Sequence, residues 1–134
     1  MAAVQPILVP DLYQGFLVWR SFIAKTTSYT LVPSDNGSLF TNVGASGSVT
    51  FTLPTLSQNY RFGFLVVADQ TVTITAPAAN TVVAFNNATA TSLAFSTASH
   101  RIGGCLGLQS NELGTLWYSF CVSADPSQNT ITVS

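Results

Sequence analysis

The chain has 134 residues, of which 47% are hydrophobic and only 7% charged, with a net charge of −1; soluble domains typically carry roughly 25% charged residues. Its four cations, Arg20, Lys25, Arg61 and Arg101, are scattered, so it has no basic track for nucleic-acid phosphates. Solubility falls to neutral polar groups, and Ser and Thr supply 32 residues. A surface this poor in charge tends to self-associate, which points to work inside an assembly, although an ordinary apolar-rich β domain shares the composition.

Residues 1–25 differ in kind from the rest. They hold Ile7, Leu8, Val9, Leu12, Tyr13, Phe16, Trp19 and Phe22, and Pro6 and Pro10 forbid one regular element across the stretch. Pro6, Pro10, Asp11, Gly15 and Arg20 also interrupt the apolar run, leaving less than the roughly 18 unbroken apolar residues that a membrane span needs. No Lys or Arg precedes the run, which makes it a poor signal peptide, so synthesis in a cytoplasm is expected. Two readings stand. The stretch is an arm laying apolar side chains on another subunit, or a first strand closing the domain's own sheet.

From Tyr29 onward the period is 2. Asp35-Asn36-Gly37 reads as a hairpin-type turn, with φ > 0 at Asn36 and Gly37. A short strand over residues 39–42 follows, and Gly44-Ala45-Ser46-Gly47 reverses the chain. "VTFTL" (residues 49–53) and "TVTITA" (71–76) alternate apolar residues with threonine, as half-buried strands do. "RFGFLVVA" (61–68) is apolar on both faces and reads as a central strand. Residues 81–85, 91–96, 105–109, 115–122 and 129–133 complete the run, separated by turn residues such as Asp69-Gln70 and Asn86-Asn87. Seven to nine short strands at this spacing predict an all-β domain over residues 26–134, an antiparallel β-sandwich or jelly-roll-like barrel.

A hairpin centred on Leu113 sets Cys105 opposite Cys121. It gives a core face of Leu106, Leu108, Leu116, Tyr118, Phe120 and Val122, and turns Trp117 away from the core. Trp117 is then an intersubunit anchor or lies under a loop. The cysteines, lacking CxxC spacing or a His partner, do not form a zinc site; as cytoplasmic residues they are expected to be reduced.

Chemistry has little to work with. The one histidine, His100, lies near Ser96 and Ser99, but no acid occupies a recognisable triad context and there is no GxSxG. Asp35 and Asp69 could form a carboxylate pair only if the fold brought them about 5–10 Å apart, and both sit in turns. No phosphate-binding fingerprint occurs, since Gly44–Gly47 precedes a strand. The chain is read as not an enzyme, with no cofactor, no metal and no small-molecule substrate; a small hydrolase built on His100 is the outlying reading.

"YTLVPSDNGSLFTNVGASGSVTFTLP" (residues 29–54) carries a Tyr-led strand, Asp-x-Gly, an aromatic-bearing strand, Asn-x-Gly-Ala and a Thr-rich strand ending Leu-Pro. A central apolar strand (61–68), "TITAP" (73–77), "NTVV" (80–83) and a Trp-bearing strand (116–120) follow. This pattern, over residues 29–122, resembles small β-structured virion proteins of tailed bacteriophages: capsid decoration (cement) proteins, head-fibre subunits and tail-fibre modules. The chain departs from it late, where "CVSADPSQNTITVS" replaces the frequent Gly-x-Trp, and the apolar N-terminal stretch lies outside the shared block.

The resemblance implies a structural protein on the virion exterior, a homotrimer, with the major capsid (coat) protein as partner. On that reading Ile7, Leu8, Val9, Leu12, Tyr13, Phe16, Trp19, Phe22 and Trp117 dock on the capsid or on neighbouring subunits. The alternative is a head- or tail-fibre module binding a host surface glycan, with Trp117, Tyr60 or Tyr118 in a shallow sugar site. No catalytic residue carries over.

Overall fold

The structure, a computed structural model, describes residues 19–123 and 131–134. These form β1 Ser21–Ala24, β2 Tyr29–Thr30, β3 Ser38–Thr41, β4 Val49–Thr52, β5 Arg61–Leu65, β6 Val72–Thr75, β7 Val82–Ala84, β8 Asn87–Ala90, β9 Ser92–Phe95, β10 Cys105–Ser110, β11 Trp117–Ser123 and β12 Ile131–Val133. One sheet has seven strands in the order β1-β3-β5-β10-β11-β7-β8, and the other has five, β12-β9-β6-β4-β2. The two sheets make the all-β sandwich expected; β1 falls in the N-terminal stretch, β2 is the short Tyr-led strand, and β8 is an addition to the strands read from the sequence.

Strand direction differs from expectation. From β1 to β6 the chain alternates between sheets, odd-numbered strands in the larger and even-numbered in the smaller. Neighbours in these stacks are parallel: β1 with β3, β3 with β5, β2 with β4 and β4 with β6. The turns therefore carry the chain across to the opposite sheet instead of folding it back, and successive windings stack. Beyond β6 the mode changes. β9 lies antiparallel to β6, and the β10–β11 hairpin lies antiparallel to β5. Period-2 alternation reports which face of a strand is buried and carries no information on direction.

The Asp35-Asn36-Gly37 turn is one of these crossings. It follows a single 3-10 turn, Pro33–Asp35, and Asn36 has φ −52 and ψ 133 while Gly37 has φ +84. Only the glycine is left-handed, as in a type II turn. The Asp35 carboxylate accepts hydrogen bonds from the Tyr29 hydroxyl (2.8 Å) and the Val32 amide (3.0 Å). The next crossing is held by Asn42, which is fully buried. Its Oδ1 accepts from the amides of Val67 (2.7 Å) and Ala68 (3.0 Å), and its Nδ2 donates to the Ala68 carbonyl (3.0 Å). One side chain thus ties the end of the β3 winding to the end of the β5 winding.

The core fills the space between the sheets. Phe40 from β3, Phe51 from β4 and Phe64 from β5 are at most 1% exposed, with ring centroids 5.4–6.0 Å apart. Such pairs add roughly 0.5–1.5 kcal/mol each beyond the area they bury. Phe62, Tyr60 and Trp117 form a second aromatic group, Tyr60 stacking on Trp117 at 6.1 Å.

The β10–β11 register differs by one residue from the Leu113-centred hairpin. Ser110 faces Trp117, Gln109 faces Tyr118, Leu108 faces Ser119 and Gly107 faces Phe120. Asn111 sets this. Its amide donates to the Leu116 carbonyl and its carbonyl accepts from the Gly114 amide, while its side-chain Oδ1 accepts from the amides of Thr115 and Leu116. The closed loop is therefore Glu112–Thr115. A one-residue slip exchanges the two faces of a strand: Trp117 is fully buried in the core, and Tyr118 and Phe120 face outward. An irregularity between Cys105 and Gly107 then places Ser123, not Cys121, opposite Cys105, which is half-buried.

Candidate interaction face

The smaller sheet's outer face carries the expected threonines, with Thr50 paired to Thr73 and Thr52 to Thr75, all half-buried. The larger sheet's outer face is different in kind. One row crosses five strands, running Phe22, Leu39, Gly63, Gly107 and Phe120. Its two central positions are glycine because aromatic rings lie there. A Cβ on Gly63 would sit 2.6 Å from Trp19 Cζ2 and 2.7 Å from Leu39 Cδ1, and one on Gly107 3.0 Å from Phe120 Cζ. Glycine inside a strand often marks such a close approach.

Trp19 is half-buried over this row, and the Arg61 guanidinium stands 5.1 Å from its ring centroid, a cation–π distance. Phe22, at the edge of the row, is 72% exposed. The chain enters the described domain on this face.

Of the nine residues read as docking residues, Ile7, Leu8, Val9, Leu12, Tyr13 and Phe16 lie outside the described residues. Trp19 and Phe22 are brought together on the outer face. Trp117 is not on any surface: fully buried in the core, it has no area to offer a partner. Within the stretch read as an arm, Ser21–Ala24 form the parallel edge strand β1, paired residue for residue with Ser38–Thr41. Leu39, Gly63, Gly107 and Phe120 escape a reading of composition alone; the sequence signal for them is the glycine inside each of two apolar strands.

The cations are engaged within the domain. Arg20 donates from its guanidinium to the carbonyls of Asn36 and Ser34, Lys25 Nζ stands 3.8 Å over the Tyr29 ring, and Arg61 lies over Trp19. Arg101, 9% exposed, donates to the Asp69 carboxylate at 2.9 Å and to Thr71 Oγ1 at 2.7 Å. The Arg101 hydrogen bond, with one from the Ser99 amide, holds the Asp69 carboxyl below its ordinary pKa. Asp35 precedes β3 and Asp69 follows β5. Because β3 and β5 are parallel, the two carboxylates stand at opposite ends of the sandwich, not across one cleft. His100 sits in the Asp69-anchored loop, its amide donating to the Thr97 carbonyl. Among the described residues no three or more of His, Cys, Asp and Glu converge as a metal site, and no helix is long and apolar enough to cross a membrane.

Two of the clefts on the described domain carry apolar or mixed linings. One, of about 280 Å³, lies between Thr55-Leu56 and Pro77-Ala78, with Thr81 and Trp117 in its wall; among the described residues the Trp117 Nε1 donor has no hydrogen-bond partner. The other, of about 460 Å³, lies where β10 turns into β11. Comparison of the chain with protein-family models and with curated proteins finds no match.

Proposed function

We propose that this chain is a structural protein of a bacteriophage virion, a capsid decoration protein that docks as a homotrimer on the coat-protein lattice, made in the host cytoplasm and carried on the capsid exterior. The observation that carries the reading is the apolar row on the larger sheet's outer face. Phe22 stands 72% exposed in line with Leu39 and with Trp19 lying over Gly63. Apolar side chains gathered on one outer face mark interaction surfaces, and the opposite outer face is threonine. The low charge and the resemblance of residues 29–122 to phage virion proteins support the same reading. Trp19 and Phe22, the described docking residues of the N-terminal stretch, belong to this face.

The test is binding of the purified chain to shells assembled without it. The chain is expected to sediment as a trimer and to decorate the shells, and Phe22→Asp is expected to reduce occupancy at least about tenfold, the cost of desolvating a charge at an apolar contact. A stable monomer that leaves bare shells bare overturns the reading.

A further inference from the structure

We infer that the cleft at the β10–β11 turn is a binding site for a neutral saccharide. It is lined by Asn59, Gln109, Ser110, Asn111, Glu112, Tyr118 and Phe120, and its volume of about 460 Å³ is within the range of small-molecule sites, about 300–1,000 Å³. The lining divides in two by chemistry. Tyr118, 42% exposed, and the half-buried Phe120 supply ring surface from alternate positions on one face of β11. Gln109, Asn59 and Glu112 are exposed and polar.

A pyranose has the matching halves: a patch of axial C–H groups that packs on a ring, and an edge of hydroxyls that both donate and accept. The Gln109 and Asn59 amides offer both donors and acceptors, the Tyr118 hydroxyl offers either, and the Glu112 carboxylate accepts. Among the described residues none of these four side chains makes a hydrogen bond to the protein, so their polar groups face the cleft's solvent unspent.

The frame around them is fixed. The Asn111 side chain is committed to the Thr115 and Leu116 amides. Ser110 Oγ accepts from the Tyr60 amide at 2.9 Å. Gln58 Nε2 donates to the Glu112 carbonyl at 2.8 Å, and the Asn59 carbonyl accepts from Asn36 Nδ2 at 2.9 Å. Both lips are thus pinned through their backbones, which lowers the ordering cost of binding.

Charge selects the sugar class. Among the described residues, Glu112 is the one charged side chain in the lining. Arg61, the register partner of Gln109, stands over Trp19 and does not line the cleft. A uronic or sialic acid would meet a carboxylate without a cation, so the site takes neutral hexoses or N-acetylhexosamines. The site differs from a cluster on Trp117 or Tyr60, which are packed against each other in the second aromatic group.

The experiment is titration of the full chain, isotopically labelled, with lactose, maltotriose and chitotriose, followed by NMR, with sialyllactose as the anionic probe. At least one neutral sugar is expected to bind in the millimolar range or tighter, with shifts confined to Asn59, Gln109–Glu112 and Tyr118–Phe120. Tyr118→Ala and Gln109→Ala, both at exposed positions, are each expected to weaken that binding about tenfold, and sialyllactose to bind more weakly than lactose where lactose binds. The inference is overturned if no neutral sugar binds at millimolar concentration, if the shifts map elsewhere, or if both variants bind as the parent does. Should a variant not fold, the shift map of the parent chain decides alone. Failure here leaves shell docking untouched, because that is read without sugar and through Phe22.

Discussion

Replacing Asn42 with alanine should unfasten two windings at once. Asn42 is fully buried and makes three hydrogen bonds, from the Val67 and Ala68 amides and to the Ala68 carbonyl. Each such bond contributes about 1 kcal/mol net, and a buried donor left unpaired costs about 1–3 kcal/mol. Val67 is exposed, so water can reach part of the vacated site, and the total should sit near the lower end, about 3 kcal/mol. With an unfolding entropy of about 2.1 cal/mol/K per residue, that is a fall in Tm of about 10 °C. Thermal unfolding followed by circular dichroism reads the loss, and hydrogen exchange should show the Val67 and Ala68 amides exchanging faster than the β4–β6 ladder. A loss below about 1 kcal/mol, with those amides still protected, would refute the argument that this side chain clasps the windings together.

Three further outcomes follow from the same geometry. Trp117→Ala should cost about 3–5 kcal/mol, as large-to-small changes in a core do, while Phe22→Ala should stay within about 0.5 kcal/mol; denaturant midpoints of the two variants check which tryptophan-region residue is core. Gly63→Ala should cost about 1–3 kcal/mol by overpacking, since its Cβ meets Trp19 and Leu39 below 3 Å, and should shift tryptophan emission. In acid, Asp69 has a folded pKa below its ordinary value, with the Arg101 hydrogen bond the largest cause. Its contribution is therefore complete above the unfolded value of about 3.9 and lost as pH falls through the folded value. Tyr29 is raised above its ordinary value, chiefly by its hydrogen bond to Asp35, so its contribution holds below about pH 10 and is lost as pH rises through the folded value. Asp69→Asn should flatten the acid limb of a stability–pH curve and Tyr29→Phe the alkaline limb.

Much of the strand content was legible because alternation is a local signal. "VTFT" and "VTIT" show their buried apolar face and their threonine face directly. Direction was not legible, because a turn such as Asp35-Asn36-Gly37 looks the same in sequence whether the next strand folds back or crosses to the other sheet. Register failed for a related reason. The hairpin loop is closed by the Asn111 side chain and by Gly114 at φ +68, not centred on Leu113, and one residue of error moved Trp117 from the outside to the core. The outer row had a sequence signal in Gly63 and Gly107, yet the ring that lies over Gly63 comes from Trp19, far away in the chain. Of the cleft at the β10–β11 turn, Tyr118 was legible as a candidate sugar contact, whereas Asn59 carries no local signal because it reaches the cleft from the β4–β5 connection.

The central claim is that this domain meets a capsid through the larger sheet's outer face. The most direct measurement is a density map of an intact phage particle carrying the chain, at a resolution that separates the two sheets. The account predicts the domain on the shell exterior, around a three-fold axis, with Phe22 and Trp19 against coat protein or a neighbouring copy and the Thr50–Thr73 face toward solvent. A domain absent from the shell, or one seated on its threonine face with Phe22 bare to solvent, would contradict it.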